Sequence, residues 1–182
     1  VFGLFAPDGS DLQARNRHDD ALVGIMHRGY SSIAPENTLA AYKSAAAAQR
    51  YVVEGDIQWT SDGYAVLLHD ATINRTSNGT GAIAGMSLAT ARTYDFGAWK
   101  AAAFTGEQIP TWADWLYLAK QINLYGYFEI KTDASLPQVQ GLISDVAKAG
   151  MQKRVQFDSF YLTALQKCTA TDAAQDVGYL VG

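Results

Sequence analysis

The sequence predicts an α/β fold in which short buried strands alternate with helices around a parallel sheet. Short apolar runs of strand length recur along the chain, and helical patterns of about ten to fifteen residues separate most of them. The composition supports a folded domain, because 48% of the residues are hydrophobic and 18% are charged. With 182 residues, the chain is long enough for one domain with a sizeable core.

The elements can be placed in order from apolar patterning, capping residues and turn signals. Predicted strands cover residues 22–27, 52–60, 64–69, 125–131, 154–160 and 177–181. Predicted helices cover residues 38–50, 88–94, 112–122, 136–149 and 162–174, with Asn37 or Thr38 as a candidate N-cap for the first. We expect residues 1–20 to form an N-terminal extension or linker before a domain at 21–182, and the glycine-rich stretch 70–108 to be an insertion of loops around one short helix.

The overall charge and composition argue against several classes of partner. A net charge of −4 leaves no excess of Lys and Arg with which to bind nucleic acid. No apolar run approaches the ~20 residues needed to span a bilayer, so no transmembrane segment is expected. The single cysteine, Cys168, cannot form an internal disulfide and is expected to be a small buried hydrophobic residue.

Carboxylates lie on the inward face of two predicted strands. Strand alternation places Glu54 and Asp56 on one face of the second predicted strand, and Glu129 on the matching face of the fourth. Burying unpaired carboxylates would cost several kcal/mol, so a compensating cation is expected. An oxygen-rich site of this kind suits Mg²⁺ or Ca²⁺, and the alternative is an ion-pair network with Arg28 and Lys131.

Two histidines end predicted strands, His27 the first and His69 the third. Imidazole is the natural general acid or base near neutral pH, and a pair can take and give a proton during transfer at phosphorus. Arg28 and Lys131 would hold the phosphate, the first with a planar fork and the second as a point charge. Polar residues at the carboxyl ends of parallel barrel strands are typical of catalytic sites. The alternative for His69 and Asp70 is a strand end with a turn cap.

Six short motifs within about residues 22–135 resemble the signature of the glycerophosphodiester phosphodiesterase (GDPD) family. They are His27-Arg28-Gly29, Pro35-Glu36-Asn37-Thr38, Glu54-Gly55-Asp56, Thr60-Ser61-Asp62-Gly63, His69-Asp70 and Phe128-Glu129-Ile130-Lys131. Each motif alone is short, so the resemblance rests on their shared order and spacing.

The resemblance implies a (β/α)₈ barrel of the TIM type with a small insertion after its third strand, where residues 70–108 lie. It implies hydrolysis of small or polymeric glycerol or sugar phosphodiesters, as in lipid metabolism, through a cyclic phosphate and with a divalent metal, Ca²⁺ or Mg²⁺. The implied residues are His27 and His69 as the acid–base pair, Glu54, Asp56 and Glu129 as metal ligands, Arg28 and Lys131 as phosphate contacts, and Glu36 and Asn37 as site-lining residues.

Only six of the eight strands of such a barrel can be placed in the chain. We therefore expect a piece of a longer polypeptide or larger assembly, such as an envelope enzyme or a phage tail component. An extracellular, envelope or virion location is favoured over the cytoplasm. Two alternative functions stay open: a non-catalytic binding module for glycophosphate surface polymers, and a phospholipase D-like lipid phosphodiesterase. For Asn37, helix capping is the structural alternative to lining the site.

Overall fold

The computed structural model describes residues 24–181, so the predicted extension at 1–20 lies outside the described residues. Within this range the strands are β1 (Val52–Trp59), β2 (Ala65–Leu67), β3 (Tyr125–Ile130), β4 (Val155–Ser159) and β5 (Val177–Tyr179). The α-helices in the same range are α1 (Leu39–Ala47), α2 (Leu88–Ala91), α3 (Trp112–Ile122), α4 (Leu136–Ala149) and α5 (Leu162–Thr171). The predicted bounds of α3 and α4 are confirmed, and the other helices end three residues earlier than predicted.

The strands form one mixed sheet in the order β2-β1-β3-β4-β5. The pairs β1–β3, β3–β4 and β4–β5 are parallel. Helix α3 leads into β3, α4 joins β3 to β4, and α5 joins β4 to β5. This alternation builds the wall of a β/α barrel, and the sheet corresponds to part of one. No helix among residues 24–181 is long and apolar enough to cross a membrane.

The direction of one predicted strand is wrong. The sequence predicts a parallel strand at 64–69, but β2 runs antiparallel to β1. The length of the connection explains this, because Thr60 and Tyr64 pair across a tight hairpin in which Gly63 takes a φ of +86°. A parallel partner would need a crossover of roughly a dozen residues, which this turn cannot supply.

The first predicted strand, at 22–27, is reduced to a single parallel bridge between Met26 and Val53. Its first two residues lie outside the described range. A hydrogen bond of 2.9 Å from Glu54 N to Met26 O holds the segment beside β1. The prediction of six strands is therefore corrected to five strands and this bridge over the part of the chain that the structure describes.

The apolar core lies between the helices and the outer face of the sheet. Val53 and Ile57 of β1 point into it, as strand alternation predicts. Aromatic rings fill its centre: Trp112 stacks on Trp115 with ring centroids 5.3 Å apart, and Phe128 meets Trp115 edge-on at 4.5 Å. Because the apolar side chains take the outer face, the inner face of β1 and β3 is left to polar residues.

Residues 70–108 build a small core of their own against β2. Its buried apolar residues are Val66, Leu68, Ile73, Ile83, Ala91, Phe96 and Ile109. Asp95 organises the turn beyond this core, because its carboxylate accepts hydrogen bonds from the backbone N–H groups of Ala98, Gly106 and Gly97. The same bonds lower the pKa of Asp95.

Asp95→Asn should loosen this turn, although the two side chains have nearly the same size. A neutral amide has one acceptor oxygen, so it cannot satisfy three N–H donors, and its NH₂ group would face one of them. We expect faster amide hydrogen exchange over residues 96–107 and unchanged exchange in α4. The pKa of Asp95 is depressed in the folded protein, so the wild-type advantage is present above the unfolded pKa and is lost as pH falls through the folded pKa. Equal exchange in both proteins at neutral pH would contradict this.

Candidate active site

Two chain segments approach β1 along the same edge from opposite directions. The segment that ends at Met26 runs parallel to β1, and its carbonyl accepts a hydrogen bond from Glu54 N. The β2 strand runs the other way, and Leu68 N donates to Asp56 O at 2.9 Å. The residues that follow these two segments therefore meet beside the middle of β1, where the acidic side chains lie.

His27 follows the first of these segments and His69 the second. His27 Nε2 lies 3.8 Å from Glu54 Oε2, and its side chain is 66% exposed. The His69 carbonyl accepts a hydrogen bond of 3.3 Å from Gln58 Nε2 on β1. Partial burial and the Arg28 guanidinium lower the pKa of His27. The structure thus brings both predicted histidines to one acidic stretch.

Asp70 holds the His69 ring in place. Its Oδ1 lies 2.7 Å from His69 Nδ1, so the ring is fixed by a carboxylate at its inner nitrogen. A hydrogen bond from the Arg75 side chain and another from His69 lower the pKa of Asp70. Because an ionised carboxylate only accepts hydrogen bonds, Nδ1 carries a proton, and in the neutral ring Nε2 is the acceptor.

Carboxylates form a row across three neighbouring parallel strands, and those on two of the strands were predicted. Asp56 pairs in register with Glu129, and Glu129 with Asp158 of β4. Asp158 is buried and was missed by the sequence analysis, although alternation in β4 places it on the inner face with Gln156. Burial raises the pKa of Asp158 to about 6, although the hydrogen bond from Gln156 acts to lower it.

Asp56 is the most buried member of the row and has three polar partners. Asn37 Nδ2 donates to its Oδ2 at 2.9 Å, and Arg28 Nε lies 3.4 Å from the same oxygen. Lys131 Nζ lies 3.5 Å from Oδ1 of Asp56 and 2.9 Å from Glu129 Oε2. The ion-pair network that the sequence left open as an alternative is therefore present among these residues.

The surroundings of Glu54 disfavour its ionised form. Burial and the charge of Asp56 raise the pKa of Glu54 to about 8, although Arg28 N donates to its Oε2 at 2.8 Å. Within residues 24–181, no three acidic, histidine or cysteine side chains are grouped as a ready-made metal site. The donors nevertheless fit a hard divalent cation, because Glu54, Asp56 and Glu129 offer only oxygen on one face of adjacent strands.

Asn37 lies inside the site and does not cap the helix. Thr38 is the N-cap of α1, and its hydroxyl accepts from Ala41 N. The Asn37 side chain instead binds Asp56, and its Oδ1 also accepts from the Tyr42 hydroxyl at 3.2 Å. Gly55 leaves the room for this contact, since a Cβ there would lie 2.3 Å from the Tyr42 oxygen.

Glu36 is held by two arginines, of which one was not predicted. Arg28 Nη1 donates to Glu36 Oε1 at 2.9 Å, and Arg75 binds both carboxylate oxygens at 2.8 Å. Nothing in the local pattern around Arg75 indicates this contact, because its partner lies 39 positions earlier in the chain.

A barrel wall of parallel strands with its ionisable residues gathered on the inner face defines an α/β barrel protein whose candidate site lies inside the wall, beside the middle of β1. Residues 27–181 match the family model described as the glycerophosphoryl diester phosphodiesterase family. The chain belongs to this family, and the resemblance found in the sequence motifs is confirmed.

Relatives agree with this assignment. The chain is 36% identical over 138 residues to glycerophosphodiester phosphodiesterase of Caldanaerobacter subterraneus, covering 75% of this chain and 57% of that protein. It is 39% identical over 117 residues to human glycerophosphodiester phosphodiesterase 1, covering 63% of this chain and 35% of that protein. The chain thus spans just over half of the first relative and about a third of the second.

Solved structures confirm the barrel fold. The crystal structure of glycerophosphodiester phosphodiesterase from Agrobacterium tumefaciens gives a TM-score of 0.77 at 28% identity, covering 84% of this chain and 64% of that one. An Oleispira antarctica phosphodiesterase, in complex with the product sn-glycerol-3-phosphate, gives 0.76 at 31% identity, covering 87% and 65%. The five-strand sheet therefore corresponds to part of the TIM-type barrel that the sequence predicts.

Removing the Asn37 side chain should lower the free energy of unfolding more than removing the Tyr42 hydroxyl that contacts it. Asn37 has a φ of +56°, so Asn37→Gly deletes the side chain without backbone strain. The variant leaves Asp56 N, an Asp56 oxygen and the Tyr42 hydroxyl without this partner, and should lower the free energy of unfolding by about 2 kcal/mol. Tyr42→Phe loses one bond and should cost about 1 kcal/mol. Urea unfolding that shows the reverse order would contradict this role.

Proposed function

We propose that the protein hydrolyses glycerophosphodiesters, or related glycerol and sugar phosphate diesters, by acid–base catalysis with two histidines. The observation that carries the proposal is the approach of His27 and His69 to one acidic stretch of β1 from opposite directions. Family membership supports the substrate class. The product in the Oleispira antarctica complex is sn-glycerol-3-phosphate, which supports a glycerol phosphate as the group bound here.

His69 is the proposed general base. Its Nε2 would take the proton of the hydroxyl next to the phosphodiester, and the hydroxyl oxygen would then attack phosphorus. Asp70 supports this role because its carboxylate accepts a hydrogen bond from Nδ1–H and stabilises the imidazolium that forms. The orientation of the ring is thus set before the substrate binds.

His27 is the proposed general acid. It would give its proton to the oxygen of the leaving alcohol as the bond from that oxygen to phosphorus breaks, which leaves a cyclic phosphate. Water would open the ring with the two histidines in exchanged roles. The exposed ring of His27 suits this task, because it can exchange protons with solvent between the steps.

Arg28 and Lys131 are the proposed phosphate contacts. The Nε of Arg28 is buried and lies 3.4 Å from Asp56 Oδ2, so the outer end of the guanidinium is the part that would contact a phosphate oxygen. Its Nη1 is already fixed by Glu36, which orients the guanidinium plane. Lys131 Nζ, close to Asp56 and Glu129, adds a point charge on the same inner face.

Glu54, Asp56 and Glu129 would hold a divalent cation, Mg²⁺ or Ca²⁺. When bound, the cation would neutralise charge that develops on the phosphate oxygens. The surroundings of Glu54 support the assignment, because burial and then the charge of Asp56 raise its pKa, and a bound cation would favour its ionised form.

Replacing either histidine should remove most of the activity. We expect His27→Gln and His69→Gln to lower kcat on glycerophosphocholine by about 100- to 10,000-fold, since each removes a positioned proton carrier. Release of sn-glycerol-3-phosphate is the measurement. His18→Gln, at the third histidine of the chain, is the matched control and should leave kcat unchanged. Retention of full activity by His69→Gln would rule out its role, and product binding without turnover by the wild type would favour a binding module instead.

Chelation should abolish activity, and Mg²⁺ or Ca²⁺ should restore it. Loss of even an outer partner of a metal site commonly weakens affinity by about 10- to 100-fold, so Glu129→Gln should weaken cation binding by at least about 100-fold in titration calorimetry. Asp145→Asn, on the outer helix α4 beside Lys148, is the matched acidic control and should bind as the wild type does. Activity that persists in chelator would exclude the proposed metal role.

A further inference from the structure

Arg75, in the insertion, joins two carboxylates that come from different parts of the chain. Its Nε and Nη2 donate to Asp70 Oδ2 and Oδ1 at 2.8 and 3.1 Å. Its Nη1 and Nη2 donate to Glu36 Oε2 and Oε1, both at 2.8 Å. The planar guanidinium thus makes four hydrogen bonds, two to each carboxylate, a geometry that a lysine cannot reproduce.

Both carboxylates bound by Arg75 also hold a residue of the proposed active site. Asp70 binds the His69 ring at Nδ1, and Glu36 binds Arg28 at Nη1. A continuous chain of charged hydrogen bonds therefore runs from His69 through Arg75 to Arg28. Arg75 lies at its midpoint and contacts neither end.

We propose that Arg75 is a positioning residue that fixes the His69 ring and the Arg28 guanidinium relative to each other. The inference rests on the proposed function for the roles of those two groups. Arg75 acts only through its carboxylate partners, so its loss frees Asp70 and Glu36 to rotate and leaves the proton acceptor and the phosphate contact misaligned.

The electrostatics of the three side chains agree with one coupled unit. Hydrogen bonds from Arg75 and His69 lower the pKa of Asp70. Burial works against ionisation of Glu36, but hydrogen bonds from Arg75 and the charge of Arg28 lower its pKa overall. The two carboxylates raise the pKa of Arg75. All three groups therefore stay charged across the neutral range, and the bonds between them persist there.

Stabilisation of the fold is the weaker explanation for this contact. The Arg75 side chain is 44% exposed, and exposed ion pairs contribute little to stability. The insertion also has its own buried core and a second tether, in which Lys100 Nζ donates to Ser31 O at 2.7 Å. Loss of Arg75 should therefore change the site before it changes the fold.

The first test is kinetic. Arg75→Ala should lower kcat on glycerophosphocholine by about 10- to 100-fold, as loss of an outer-shell partner commonly does, and Arg75→Lys should recover little of it. Methylguanidinium added to Arg75→Ala should restore part of the loss, because it can refill the gap between the two carboxylates. Arg92→Ala is the matched control: it removes another insertion arginine paired to a carboxylate, that of Asp114, and should leave kcat unchanged.

The second test does not depend on turnover. Long-range proton–nitrogen NMR of the His69 ring should show a single tautomer protonated at Nδ1 in the wild type and in Arg92→Ala. Arg75→Ala should show a mixture of both tautomers, because Asp70 no longer has a fixed orientation. If Arg75→Ala does not fold, the same His69 spectra are recorded on Arg75→Lys instead.

The outcomes separate this inference from the proposed function. A wild type that turns over no tested diester defeats the proposed function, while the nitrogen spectra still decide the role of Arg75. Unchanged kcat and an unchanged His69 tautomer in Arg75→Ala would overturn the inference. The inference would also be overturned if Lys100→Met lost as much activity as Arg75→Ala. General loosening of the insertion would then explain the loss without a specific role for Arg75.

Discussion

The buried negative charge of Asp56 is the constraint on which the rest of this site depends. A carboxylate that is almost wholly removed from water must be paired, and leaving one unpaired costs about 3–5 kcal/mol. Its partners are Asn37 and Arg28 from the loop before α1, and Lys131, which directly follows β3. The loop residues Arg28 and Asn37 both take a φ of +56°, an uncommon conformation that their contacts with Asp56 help to hold.

The hairpin after β1 is the second element that makes the site possible. A strand parallel to β1 would end on the same side of the sheet as β1 does, near Trp59. Because β2 turns back, the chain returns to the level of Asp56 before it reaches His69. The segment that ends at Met26 runs the other way and delivers His27 to the same level. Opposite strand directions thus place two histidines on one acidic stretch.

Much of this arrangement could be predicted from the sequence. Strand alternation correctly placed Glu54, Asp56 and Glu129 on the inner face, since it depends only on local geometry and on the apolar residues between them. The predicted helix bounds were correct where the N-terminus is strongly capped, as in α3, whose N-cap Thr111 forms a reciprocal capping box. The direction of β2 was also within reach, because the connection through Gly63 is too short for a parallel crossover.

The contacts of Arg75 could not be predicted in this way, and the reason is physical. Alternation, capping and turn length are local rules, whereas the contact between Arg75 and Glu36 joins segments 39 residues apart through side chains alone. It exists only once the small core of the insertion has set the position of residues 70–108 against β2. The insertion therefore contributes to the site directly, because it carries the guanidinium that binds both Asp70 and Glu36. In this chain, local sequence sets which residues reach the inner face, and the proposed role of Arg75 makes a peripheral segment responsible for the relative orientation of His69 and Arg28.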